Sequence, residues 1–172
     1  GHVDLLGPAS EVQAELMGIP SFETPDYSEL FAEEKEMIGK LKKAFLMVAG
    51  GAVQKYGPDL DGHQQLLMAA ADILIEIYMA ESTILRTEKL AKTKGEAAVK
   101  EQIAMAQLYL YKAVDIITQK GKEGIVSFAE GDEQRMMLMG LRRYTKYTNM
   151  PNVVGLREII TSKLVAENAY CF

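Results

Sequence analysis

Apolar residues along this chain recur at spacings of three, four and seven, and nowhere alternate with polar ones between hairpin turns, so the pattern predicts helices and no strands. The longest amphipathic stretches cover residues 61–94 and 96–120. In the first, Leu67, Ala70, Ala71, Leu74, Tyr78, Ile84 and Leu85 read as one face, widened by Leu66, Ile73, Ile77 and Ala80. So broad an arc predicts neighbours on two sides. Gly95 breaks it. The second carries Val99, Ile103, Ala106, Leu110, Val114 and Ile117 and closes on Lys120-Gly121-Lys122, with cations at the negative end of the helix dipole and a loop or short turn over 121–131.

An earlier helix is predicted over 28–56, with Glu29, Glu33 and Glu34 in its opening turns and Phe31, Ile38, Leu41, Phe45, Val48 and Ala52 as its stripe. Gly50-Gly51 lies inside it, at a cost of roughly 1 kcal/mol per glycine relative to alanine; the pair either permits close helix approach or marks a kink. Tyr56-Gly57-Pro58 ends the helix. Asp132 is placed to cap a fourth helix running to about Tyr147. Asn149-Met150-Pro151-Asn152 interrupts the chain, and a last helix over 153–169 carries Leu156, Ile159, Ile160 and Leu164. Short links between long helices predict antiparallel neighbours. The expected fold class is therefore all-α: an up-and-down helical bundle with extra short helices.

Residues 1–26 read as a leader or linker punctuated by Pro8, Pro20 and Pro25, with a short helix over 10–17 capped by Ser10, and residues 27–172 as the bundle domain. Gly1-His2 resembles a cloning scar, and a chain that enters at Val3-Asp4-Leu5-Leu6 is expected to be part of a longer protein. At 172 residues there is enough chain for one domain with a real core, and 48% hydrophobic with 25% charged residues is ordinary globular composition. A net charge of -5 gives no general attraction to nucleic acid or anionic lipid. The single cysteine, Cys171, excludes an intrachain disulfide and fits a reducing compartment. No apolar run approaches the ~18–20 residues that span a bilayer. The expected location is the cytoplasm, with peripheral membrane contact left open.

Candidate chemistry is sparse. His63 is the one histidine beyond the scar, and no Glu-x-x-His pair that a di-iron bundle needs is present. Asp59-Leu60-Asp61-Gly62 holds only a fragment of a calcium loop and reads better as a turn with a helix cap. Cys171 has no histidine near it, and no nucleophile elbow, Walker loop or dinucleotide-binding turn follows a strand. Catalytic, cofactor-binding and metal residues are thus all expected to be none. Asp72, Glu76 and Glu81 could perturb one another if buried, or meet cations on other helices. Arg142, Arg143, Lys146 and Tyr147 form the candidate interaction surface, suited to phosphate, anionic lipid or an acidic protein face; the plainer reading is the polar side of a helix end. Met136, Met137, Met139 and Met150 are either an adaptable docking surface or core filler.

The stretch 63–86, HQQLLMAAADILIEIYMAESTILR, resembles part of the extra C-terminal helical domain of very-long-chain-type acyl-CoA dehydrogenases, in a Gln-x-Leu-Leu…Ala-Asp-x-x-Ile-x-x-Tyr run matched by Gln65, Leu67, Ala71, Asp72, Ile75 and Tyr78. The resemblance covers roughly residues 28–172. It implies a parent enzyme that uses FAD and a glutamate base to remove hydrogens across Cα–Cβ of a fatty acyl-CoA, with that base and nearly all flavin contacts upstream of this chain. It implies a non-catalytic accessory domain, partnered by the catalytic core of the same polypeptide, by a homodimer of the parent and by no nucleic acid. The alternative from another class is a free-standing module that uses the 136–147 helix to hold a protein or a membrane.

Overall fold

The computed structural model describes residues 5–18 and 26–172. Gly1, His2, Pro20 and Pro25, and the readings that rest on them, lie outside the described residues. Six α-helices follow one another without a strand among those residues: α1 (Leu6–Met17), α2 (Ala32–Tyr56), α3 (Gln64–Lys94), α4 (Lys100–Phe128), α5 (Gly131–Tyr144) and α6 (Val153–Glu167). Two 3₁₀ segments, Gly57–Gly62 and Glu96–Val99, make the tight reversals on either side of α3. Ion pairs Lys42–Glu81 and Lys35–Glu88 run in opposite residue order, so α2 and α3 are antiparallel. Bonds from Gln107 to Glu34 and from Tyr56 to Ser127 keep the same order, so α2 and α4 are parallel. Helix α5 descends beside α2 and α4, which completes an up-and-down bundle.

The interior is mostly aliphatic, with Phe31, Phe128, Tyr144 and three methionines among the buried side chains. Leu41, Val48, Ile73, Ala113, Ile117 and Ile125 are fully buried where α2, α3 and α4 meet. Glycines set the closeness of approach: a Cβ on Gly121 would fall 2.7 Å from Leu141 Cδ1, and one on Gly124 would fall 3.0 Å from Val48 Cγ1. This corrects the expected helix end at Lys120. Gly121 and Gly124 are contact positions rather than stop signals, and burial of Ile125 and Phe128 carries α4 on to Phe128, where the helix ends at extended Ala129. The turn is taken at Gly131, in the left-handed region at φ 58°.

Other boundaries move for local reasons. Helix α2 begins at Ala32, not Ser28, because buried Phe31 sits in the left-handed region at φ 64°. Ser10 is not a cap: α1 starts at Leu6, and the Ser10 hydroxyl donates back to the Leu6 carbonyl at 2.9 Å. Helix α5 begins before Asp132 and ends at Tyr144, three residues earlier than the pattern predicts. Asn152 caps α6 by accepting from Gly155 N–H at 3.1 Å. Helix α1 lies along α2, with Val12 in the core, and α6 lies on α4.

Candidate functional site

The middle of α3 is held on one side by Ile73, Ile77, Ala80 and Ile84, all almost fully buried. Ile73, Ile77 and Ala80 are residues the pattern assigned to the margin of the apolar face, and Ile84 is one it placed in the face itself. Leu74, Tyr78 and Leu85, expected at its centre, point outward with half or more of their surface exposed. The correction has a simple cause. Apolar residues nearly encircle α3, so periodicity alone does not say which side meets α2 and α4.

Three of the four carboxylates of α3, those flagged by the sequence, are turned sideways toward neighbouring helices. Asp72 meets Lys120 at 3.3 Å, Glu76 accepts from the Tyr109 hydroxyl at 3.0 Å, and Glu81 meets Lys42 at 2.6 Å. The first of these pairs lies on the rim of a groove of about 420 Å³ between α3 and α4, lined also by Gln65, Leu66, Glu123 and Ser127. Lys120 is raised above its ordinary range by its bond to Asp72 and then by Glu123, and Glu123 is held below its range by Gln119 and then Lys120. Both groups are fixed more firmly in their charged forms, the reverse of what a general acid or base requires near neutral pH. The Ser127 hydroxyl is occupied as donor to the Gly124 carbonyl at 2.6 Å. The groove can accept hydrogen bonds and counter-charges; it holds no activated nucleophile.

His63 stacks on Tyr56, ring centroids 3.5 Å apart, while its carbonyl accepts from Leu66 and Leu67 N–H at the start of α3. Asp59 and Asp61 are exposed in the 3₁₀ segment. Among the described residues no group of three or more His, Cys, Asp or Glu side chains converges on a metal position. Cys171 is a free, partly buried thiol in the tail, between Tyr170 and Phe172.

The candidate surface at the end of α5 divides. Arg142, Arg143 and Lys146 are exposed, but Tyr147 turns back against the bundle. Its ring stacks near Tyr111 at 6.3 Å, its hydroxyl is buried without a partner, and burial followed by the Glu34 charge holds its pKa well above the usual tyrosine range. The methionines divide too: Met137 is in the core, Met136 is half-buried, and Met139 and Met150 are exposed.

An all-α bundle whose long helices close on a mostly aliphatic interior defines a packing domain, and the comparisons place it. A family model described as "Acyl-CoA dehydrogenase, C-terminal domain" matches residues 40–143, and the chain belongs to that family. A probable acyl-CoA dehydrogenase from Bacillus subtilis (strain 168) is 34% identical over 167 residues, covering 97% of this chain and 28% of the relative. The crystal structure of an acyl-CoA dehydrogenase complexed with FAD from Bacillus anthracis matches with a TM-score of 0.89 at 36% identity, over 99% of this chain and 28% of that one. The chain spans a little over a quarter of the length of the relatives it matches.

Proposed function

We propose that this chain is the non-catalytic C-terminal accessory domain of an FAD-dependent acyl-CoA dehydrogenase acting on fatty acyl-CoA, and that it packs on the catalytic core of the same polypeptide. The observation that carries the reading is the match of nearly the whole chain to a little over a quarter of each of two acyl-CoA dehydrogenases, together with the match of residues 40–143 to the C-terminal-domain family model. The chemistry of the described residues supports it: the carboxylates Asp72 and Glu81 of α3 are held by Lys120 and Lys42, and the side chains buried between the long helices are mostly hydrocarbon. Residues 27–172 form the bundle in this reading, and α1 is a leader helix docked on its flank. The flavin and the base belong to the upstream part, the parent is a homodimer, and the compartment is the cytoplasm.

Acyl-CoA-dependent dye reduction tests the reading. The 172-residue chain should give none, and the longer polypeptide carrying the upstream catalytic region should give flavin-dependent turnover. Turnover by the short chain, or none by the longer one, overturns it. The rival reading, a free-standing module that grips an acidic partner or bilayer, rests on the three exposed cations Arg142, Arg143 and Lys146. Binding of the chain to anionic liposomes that disappears in the Arg142→Ala/Arg143→Ala variant would favour it. The inward turn of Tyr147 weighs against it, because it removes one of the four residues of that surface.

A further inference from the structure

Helix α3 carries two apolar faces on opposite sides. The inner one is Ile73, Ile77, Ala80 and Ile84; the outer one is Met68, Leu74, Ile75, Tyr78, Met79 and Leu85, with Tyr78 66% and Ile75 55% exposed. The remaining exposed positions between them, Ala71 and Ser82, are small and uncharged. Every carboxylate of this stretch is drawn to the side by Lys120, Tyr109 or Lys42, so no charge interrupts the outer stripe from Met68 to Leu85. The large side chains on it expose on the order of 600 Å², at the upper limit of what a monomer ordinarily leaves to water.

We infer that the outer stripe of α3 is the seat of the catalytic body of the parent polypeptide, the contact through which this domain is held on the enzyme. The inference rests on the function proposed above and adds to it the face that does the work. Three arguments select this occupant. First, the matched relatives have nearly three quarters of their length outside the part this chain matches, so a body large enough to cover the stripe is present in them. Second, a stable dimer between separate chains needs about 800 Å² from each partner. The stripe sits at about the lower edge of the range around that figure. A partner on the same polypeptide needs less, because tethering supplies an effective concentration in the millimolar range. Third, charge disfavours the other occupants. The flanking carboxylates are already taken, Asp72 by Lys120, Glu81 by Lys42 and Glu76 by the Tyr109 hydroxyl, so they offer a second copy no free charge to dock against. A helix that lies on an anionic bilayer presents the opposite, a face rich in Lys and Arg. The complementary surface on the body is expected to be apolar, uncharged and wide enough for the Tyr78 ring.

Methionine oxidation reads the contact directly, since susceptibility to peroxide follows exposure. Met68 and Met79 lie on the stripe, while Met139 and Met150, 73% and 72% exposed, lie elsewhere and serve as internal references. In the 172-residue chain all four should oxidise readily. In the longer polypeptide carrying the catalytic region, Met68 and Met79 should slow by about tenfold while Met139 keeps its rate. The double substitution Ile75→Lys/Tyr78→Lys should restore their oxidation in the longer polypeptide without changing the thermal melt of the short chain, because both side chains point outward. Equal rates at Met68 and Met79 in the two proteins overturn the inference, as does slowing at Met139 instead, which would put the body on α5. Protection that grows with the concentration of the short chain alone also overturns it, in favour of a second copy. Dye reduction by the longer polypeptide is scored separately. Activity without protection sinks only this contact, whereas no activity sinks the functional reading on which it rests.

Discussion

At Gly50 a missing methyl group decides whether α1 can lie on the bundle. A Cβ at that position would collide with the Cβ of Ala9, and Ala9 has no flexible end that could swing aside. Gly39, eleven residues earlier in the same helix, has nothing within 4 Å of where its Cβ would be. The two glycines should therefore respond oppositely to alanine. Gly39→Ala should stabilise the chain by roughly 1 kcal/mol through helix propensity alone. Gly50→Ala gains the same propensity but overpacks, at about 1–3 kcal/mol, and should do so by lifting α1 off α2. Urea denaturation measures the first. For the second, hydrogen exchange should show α1 amides losing protection while those of α3 and α4 keep it. In the sequence the Gly50-Gly51 pair fits a kink or a close contact equally well. The choice depends on what lies opposite, and Ala9 is forty-one residues away along the chain.

Among the elements, α3 separates what periodicity fixes from what it leaves open. Its length is legible in a period that persists from Gln64 to Lys94. Its orientation about its own axis is not, because leucines, isoleucines and methionines fall on both sides. Adjacent residues make the test: Ile73 is fully buried and Leu74 is 50% exposed. Ile73→Ala should cost about 2–5 kcal/mol of stability. Leu74→Ala should stay within about 0.5 kcal/mol, as at an ordinary surface position. Chemical denaturation of the two variants in parallel settles the face; equal losses would mean that α3 is rotated. The end of α4 was hidden for a related reason, since a glycine read as punctuation was a contact made by a later helix. The candidate surface on α5 was legible in its three cations, which stay exposed at a helix end. Tyr147 was misplaced because the helical period was carried through to it, whereas the helix stops at Tyr144 and the chain turns inward.

For the molecule as a whole, tyrosines set the alkaline limit. Tyr109 is pushed up to about 12 from 10.0 by burial and then by its bond to Glu76. Tyr144 is raised by burial, and Tyr27 by its bond to Glu36. A tyrosine is neutral when protonated, so a raised folded-state pKa means the folded chain holds its proton more tightly than the unfolded one. The stability this contributes is complete below pH 10 and is lost as the pH climbs toward about 12. The urea midpoint should fall across that window, and Tyr109→Phe should flatten the fall, leaving the part due to Tyr27, Tyr144 and Tyr147. An unchanged slope would mean that the Tyr109 hydroxyl, buried and bonded to Glu76, carries none of it. On the acid side Glu88, held low by Lys35 and then Lys92, contributes stability that is lost as the pH drops through its folded-state pKa. Nothing in the sequence showed which tyrosines would behave this way. Each depends on a partner brought from another helix or on the depth to which packing sinks the ring.

The outward stripe of α3 also changes how this chain would look to a fluorescent probe. Dyes that light up on greasy surfaces are the usual evidence for a loosened, molten state. Here the native fold itself offers such a dye a helix-long landing strip. A bright signal beside a sharp, cooperative melt should therefore be read as the mark of an intact bundle, and the Ile75→Lys/Tyr78→Lys variant should go dark while remaining just as helical.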